Sequence, residues 1–360
     1  MNTKTTGLLG RLSIFVMTAL GVTLSASINA DPVSDFYKDK QLTLLIGYGV
    51  GGGYDQYARV LARHMGKHIP GNPILVPQNM PGAGSRKAAS YLYAAAPKDG
   101  TVIATVGQNT PMDQVLRDKG IKFDVRKFNW IGNMVTVNNT VTAWHTSGAN
   151  SLQDVIDREL VVGASGASSP SVLYPQVMNN LLNTKFRIIA GYPGGGAINL
   201  AMERGEVGGR GSNSWASWKS TKQQWLSEKK INILVQVGAQ KDPDLPNVPL
   251  LIDLAKNDED RAVLRIISSG VLMGRPFVAP PGVPEDRVAA LRRAFDATMK
   301  DPEFLAEAEK SKMRINPSSG EEVQQTAASV VNTPANVIAK TKQAIEKKDI
   351  IKTLKKKKKK

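Results

Sequence analysis

From Gln41 onward, short apolar and β-branched runs alternate with stretches of helical periodicity. The runs 41–46, 73–76 and 101–106 predict strands, with one helix beginning near Tyr54 and another following the second run. In the first helix Tyr54, Ala58, Leu61, Met65 and Ile69 recur at spacings of four, three, four and four, the stripe of a helix packed on a core. Strand, helix and strand at this interval predict right-handed crossovers and a parallel sheet covered on both faces. A second series predicts strands at 160–164, at 186–190, near Glu206 and Val207, and at 231–237. Its helices start near Ser169, at Ala197 and around Trp215, where Trp215, Trp218 and Trp225 fall at packing intervals. The β-rich stretch 130–142 predicts a strand crossing between the series, and 271–279 the strand that returns. After the break at Pro280-Pro281-Gly282-Val283-Pro284, residues 285–300 predict an amphipathic helix, and the segments to about 345 are expected to pack back onto the first lobe. The pattern is that of an α/β protein with two lobes.

Length agrees, since 360 residues exceed one average domain. The start of the chain carries Lys4 and Arg11 and no acid, then an apolar stretch at 12–24 and small residues up to Ala30. This is the order of a secretory signal, and its apolar run is short for a spanning helix. Cleavage after Ala30 and a periplasmic location are expected. The net charge of +16 falls to +8 without that segment and without the lysine run 355–360, so the body is only moderately basic. The run is read as a solvated tail, with no interleaved aromatic residues to stack bases, and no nucleic-acid partner is expected. The absence of cysteine excludes thiolate metal sites, disulfides and a cysteine nucleophile.

Two glycine loops follow strands and open helices: Gly47-Tyr48-Gly49-Val50-Gly51-Gly52-Gly53 and Gly191-Tyr192-Pro193-Gly194-Gly195-Gly196. The first satisfies the dinucleotide pattern, but no Asp or Glu occurs between Asp55 and Asp99 to hold a ribose, and no Lys-Ser or Lys-Thr follows the glycines. What remains is backbone N–H groups at a helix N-terminus, a setting for an anion. Catalytic patterns are missing. Gly163-Ala164-Ser165-Gly166-Ala167 lacks the last glycine of a nucleophile elbow, and His64 and His68 stand one turn apart with Met65 where a zinc protease needs glutamate. No catalytic residue, metal or cofactor is expected.

The residues from Leu44-Leu45-Ile46 through the first glycine loop to Tyr54-Asp55-Gln56-Tyr57-Ala58-Arg59 form one recognisable motif. Val76-Pro77-Gln78-Asn79-Met80-Pro81-Gly82-Ala83-Gly84-Ser85 and Ala96-Pro97-Lys98-Asp99-Gly100-Thr101 follow it. Together with Val162-Gly163-Ala164-Ser165-Gly166, Tyr192-Pro193-Gly194-Gly195-Gly196-Ala197, Leu245-Pro246-Asn247-Val248-Pro249 and Val278-Ala279-Pro280-Pro281-Gly282-Val283-Pro284, they resemble the Bug family of periplasmic receptors for tripartite tricarboxylate transporters. The resemblance spans nearly all of the chain after residue 30. It implies a two-lobed type II periplasmic-binding-protein fold, or Venus flytrap, each lobe a mainly parallel sheet flanked by helices, with two crossing strands as hinge. Lobe one would be 31–132 plus 272–354, lobe two 133–271, and 355–360 the tail.

The resemblance further implies a monomeric receptor that captures a small organic carboxylate between its lobes and delivers it to integral-membrane transporter subunits. It places Tyr48, Gly49, Gly51, Gly52, Gly53, Tyr54, Asp55, Gly82, Ala83, Gly84 and Ser85 in the first lobe's half of the site. Ser165, Gly166, Ser168, Ser169, Tyr192, Gly194 and Gly195 would make the other half. Asp55 would cap the first helix or meet a ligand amino group. Members usually carry an Asp where this chain has Gly208; here Arg210, Ser212 and Asn213 stand just beyond, and Arg210 suits a carboxylate. Tyr48, Tyr54 and Tyr192 beside the glycines suit a planar ligand. Aliphatic, aromatic and amino-acid carboxylates stay open, as does transport against sensing. The competing reading is a periplasmic α/β enzyme or dinucleotide-binding protein built on Gly47 to Gly52.

Overall fold

Leu42 and Leu44 leave no exposed surface, and Leu45 and Ile46 almost none, so the first apolar run is buried on both faces of a sheet. Each such side chain contributes roughly 1.5–3 kcal/mol of burial. The structure is a computed structural model describing residues 31–117, 120–346 and 351–353. The expected signal segment 1–30 and the lysine run lie outside the described residues. The strands are β1 (Gln41–Ile46), β2 (Ile74–Asn79), β3 (Val102–Thr105), β4 (Asn129–Asn133), β5 (Asn139–Trp144), β6 (Leu160–Ala164), β7 (Phe186–Ala190), β8 (Gly209–Ser214), β9 (Ile231–Val237), β10 (Pro276–Ala279), β11 (Ser318–Ser319) and β12 (Ile351–Thr353). They form two six-stranded sheets, β11-β4-β10-β3-β1-β2 and β12-β7-β6-β8-β5-β9.

In the first sheet β1 pairs in parallel with β2 and β3, while β10 runs antiparallel to both β3 and β4. In the second, β6 pairs in parallel with β7 and β8, and β5 runs antiparallel to β8 and β9. Helix Gly53–Met65 packs on β1 and β2 and helix Glu285–Thr298 on β4. Helix Pro170–Leu182 covers β7 and β8, and helix Gly195–Glu203 covers β6 and β8. The stripe predicted for the first helix is its packing face, with Ala58, Leu61 and Met65 fully buried and Ile69 nearly so. Helix and sheet together make a two-lobed α/β fold. Among the described residues no helix is long and apolar enough to cross a membrane.

Several elements depart from expectation. The stretch 130–142 is two strands in different sheets, β4 and β5, and the chain passes between the lobes at 134–138. The return to the first lobe is the short stretch 270–275, and the strand β10 follows it. The strand expected near Glu206 and Val207 lies further on, at β8, where Gly209 and Arg210 pair with Val162 and Gly163. All six β8 residues are buried, yet none is apolar, so the hydrophobic pattern carried no mark of them. The helix expected around Trp215 is two short helices, Trp215–Thr221 and Gln223–Ser227. The last segments do not all return to the first lobe: helix Gly320–Val331 packs on β4, but helix Ala335–Ala344 packs on helices Asp258–Ser269 and Pro170–Leu182, and β12 extends the second sheet beside β7.

Candidate functional site

Between the sheets lies a cavity whose interior offers about 60 Å³ to the centres of water molecules. Three helices begin at its wall. Gly52, Gly53 and Tyr54 come from the start of helix Gly53–Met65, Ser169, Pro170 and Ser171 from that of Pro170–Leu182, and Gly195 and Ile198 from that of Gly195–Glu203. Their free N–H groups and dipoles give the cavity a positive potential. Strand β8 supplies Arg210, Ser212, Asn213 and Ser214, and Tyr48, Gln108, Asn139, Ser165 and Arg275 complete the lining. No carboxylate is among these residues.

The two cations are built in. Arg210 donates through Nη1 to Asn199 Oδ1 at 2.9 Å and lies over the Trp218 ring at 5.3 Å. Arg275 donates through Nη1 to the Gly274 carbonyl and through Nη2 to Ser217 Oγ, both at 2.6 Å, and its guanidinium stands 4.1 Å over the Tyr54 ring. Arg275 is 3% exposed and Arg210 9%. Neither has an ion-pair partner among the described residues, and the Nε of each is buried without a hydrogen bond, as is Asn213 Nδ2. Burial, and then the charge of Arg275, push the Arg210 pKa down. Burial pushes the Tyr48 and Tyr54 phenols up despite Arg275, so both stay neutral. Tyr54 Oη accepts from the Gln108 N–H at 2.9 Å.

Of the residues singled out in the sequence, Tyr48, Gly52, Gly53, Tyr54, Ser165, Ser169, Gly195, Arg210, Ser212 and Asn213 reach the cavity wall. Others form the contact between the lobes beside it. The Gly49 N–H donates to the Pro193 carbonyl at 2.9 Å, and Gly194 packs on Gly49. Gly51 lies against Gly196, and Gly166 faces Ala83 and Gly84. The turn 82–85 has positive φ at four successive residues, 152°, 49°, 69° and 83°, and Ser85 Oγ holds it by accepting from the Gly107 N–H. Ser168 is buried behind the wall.

Asp55 closes its own loop instead of capping the helix: it accepts from the Gly51 N–H at 3.1 Å, from Arg59 Nε at 2.9 Å and from Asn79 Nδ2 at 2.9 Å. Gly52, with no side chain, holds the N-cap position. Asn79 ends β2 beside Ile46 and binds the loop through the Tyr48 carbonyl, at the place where a dinucleotide fold needs its acid. Tyr192 packs into the core of its lobe, and Tyr54 already has Tyr48 stacked 4.4 Å away and Arg275 over its ring. The three tyrosines therefore do not form an aromatic cage. Trp215 donates to Asp244 Oδ2 at 2.9 Å and lies off the cavity wall. His64 and His68 pair with Glu307 and Asp301, each at 2.7 Å, and tie the first helix to helix Pro302–Lys310.

Sequence reasoning missed Gln108, Asn139, Pro170, Ser171, Ile198, Ser214 and Arg275. Arg275 left one signal, a lone charge in the otherwise apolar run Val271-Leu272-Met273-Gly274-Arg275-Pro276-Phe277-Val278-Ala279.

The chain is similar to known proteins over most of its length. It is 26% identical over 332 residues to the "UPF0065 protein in gbd 5'region" of Cupriavidus necator, covering 89% of this chain and 93% of that one. Its fold is similar to that of the periplasmic binding protein BugD, with a TM-score of 0.68 at 19% identity, covering 85% of this chain and 98% of that one. It is also similar to malate-bound MatC from Rhodopseudomonas palustris, with a TM-score of 0.66 at 19% identity, covering 83% and 99%. An adipate-bound protein of R. palustris matches with a TM-score of 0.66 at 19% identity, covering 84% and 97%. Residues 57–347 match the family described as "Tripartite tricarboxylate transporter family receptor". A solute-receptor family thus accounts for both the fold and the sequence, and this chain belongs to the tripartite tricarboxylate transporter family receptors.

Proposed function

We propose that the protein captures a small organic carboxylate in the cavity between its lobes and hands it to integral-membrane transporter subunits without chemical turnover. The observation that carries this reading is an acid-free cavity between the lobes in which three helix N-termini and two buried guanidinium groups converge. An anion satisfies all of them at once, whereas a neutral or cationic solute leaves buried donors unmatched. The malate and adipate held by the two R. palustris proteins support a carboxylate.

In this reading the chain is exported through its N-terminal segment and acts as a monomer outside the cytoplasmic membrane. Lobe one is 31–133 with 276–334, lobe two is 139–269 with 335–346 and β12, and the crossings at 134–138 and 270–275 form the hinge. Ligand stabilises the closed form through contacts with both lobes. The test is thermal unfolding and calorimetry of the full chain against di- and tricarboxylates, aromatic carboxylates, acidic amino acids and NAD. A ligand at about a hundred times its dissociation constant adds roughly 2.7 kcal/mol, a rise of several degrees. A rise with carboxylates supports the reading; a rise with NAD alone overturns it.

A further inference from the structure

The two arginines of the cavity occupy equivalent positions, each against the start of a different helix. A Cβ on Gly195, the first residue of helix Gly195–Glu203, would collide with the Arg210 guanidinium. A Cβ on Gly53, the first residue of helix Gly53–Met65, would meet Arg275 Nη2 at 3.0 Å. Helix N-termini favour acids, so a buried cation packed there is repelled by the helix as well as by its neighbour. Both side chains also rest on one helix, Arg210 over the Trp218 ring and Arg275 on Ser217 Oγ. With Nε of each unpartnered and no acid in the wall, the cavity holds two like charges that nothing in the described chain neutralises.

Resting on the carboxylate-receptor reading above, we propose that the cavity contains two separate anion seats, one at Arg210 with Gly195 and one at Arg275 with Gly53. Its ligand is then a short dianion carrying one acidic group to each seat. The seats divide between the parts that move. Arg210 and Gly195 belong to the second lobe; Gly53 belongs to the first, and Arg275 sits at the end of the return segment, where its N–H donates to Asn133 Oδ1 at 2.7 Å, the last residue of β4. A dianion therefore joins the lobes and cancels the repulsion that closure creates. A monoanion fills one seat and leaves the other guanidinium buried and bare, which makes the arginine pair a specificity device against singly charged acids.

The test is calorimetry on the full chain with succinate and glutarate, each against its monoamide, in the wild type and in Arg210→Gln, Arg275→Gln and Arg275→Lys. Each dicarboxylate is expected to bind about a hundredfold more tightly than its monoamide, the effect of one charge-assisted bond pair left unmade. Either glutamine substitution should shrink that ratio to within a few-fold, and Arg275→Lys should restore part of it. A monoamide that binds the wild type as tightly as its dicarboxylate overturns the two seats and leaves the carboxylate receptor standing. A ratio unchanged in a folded Arg275→Gln protein removes Arg275 from the second seat and overturns the proposal. If the variants do not fold, the wild-type comparison decides alone. Binding of neither dicarboxylate nor monoamide, while an acid outside this pair raises the unfolding temperature, also overturns the seats; no response to any carboxylate overturns both readings.

Discussion

Replacing Gly166 with alanine places a methyl carbon 2.5 Å from the Gly84 nitrogen and 2.8 Å from the Ala83 carbonyl carbon, across the contact between the lobes. Ordinary contacts lie at about 3.5–4.0 Å, so the loops must part by roughly 1 Å. The partner atoms are backbone of the turn 82–85, which its positive φ values and Ser85 hold in place, so relief comes from separating the lobes. Overpacking of this size costs about 1–3 kcal/mol. That cost falls on the closed form alone, and apparent ligand affinity drops by the same factor, about 5- to 150-fold. Calorimetry with the bound carboxylate measures the affinity, and a thermal scan without ligand measures the fold. The unliganded melting temperature is expected to stay within a degree or so of wild type. Gly47→Ala is the contrast, because its Cβ collides with Ser85 inside the first lobe and should lower the melting temperature itself. Wild-type affinity in Gly166→Ala would refute this account of closure, and a melting loss as large as that of Gly47→Ala would show a local defect instead.

Three further outcomes are expected. Lys67, and then His68, hold the Asp301 carboxyl well below the usual carboxylate range, and Arg63 does the same for Glu307. Because these folded-state values are depressed, the stability they add is present above about pH 5 and is lost progressively as pH falls below about 4 toward the folded-state values; Asp301→Asn should flatten that loss in melts taken from pH 6 to 2. Ser319 and Glu322 form a reciprocal capping box at the start of helix Gly320–Val331, and Ser319→Ala should cost about 1 kcal/mol in denaturant titration. Trp130 is fully buried and donates through Nε1 to the Val125 carbonyl at 2.9 Å, so Trp130→Ala should cost about 3–5 kcal/mol, read as a melting temperature lower by about 4–7 degrees.

The strands β1, β6, β7 and β9 were legible at their full lengths because burial leaves continuous apolar or alternating runs. Strand β8 was not, because Gly209-Arg210-Gly211-Ser212-Asn213-Ser214 is buried by pairing and by the cavity, with no apolar side chain to report it. The contact between the lobes beside the cavity was legible where backbone conformation demands glycine, as at Gly51, Gly82 and Gly84 with their positive φ values. It was not legible where chain segments distant in sequence meet: Gln108 follows β3, Asn139 opens β5, and Arg275 precedes β10, and none stands in a motif with the others. Asp55 was open to two uses, a helix cap or a ligand amino group, and in the fold it holds its own loop through Gly51, Arg59 and Asn79.

Strand β8 has a consequence for how such a receptor diversifies. It is held in the sheet by main-chain pairing with β5 and β6, which is indifferent to side-chain identity. Its residues Arg210, Ser212, Asn213 and Ser214 line the cavity. The cavity wall is therefore built on a strand that carries little of the apolar core, and a change of chemistry there leaves Leu160, Val162 and the rest of the packed interior untouched. Descendants of this chain have a route to new solutes in which folding and selectivity are altered by different mutations.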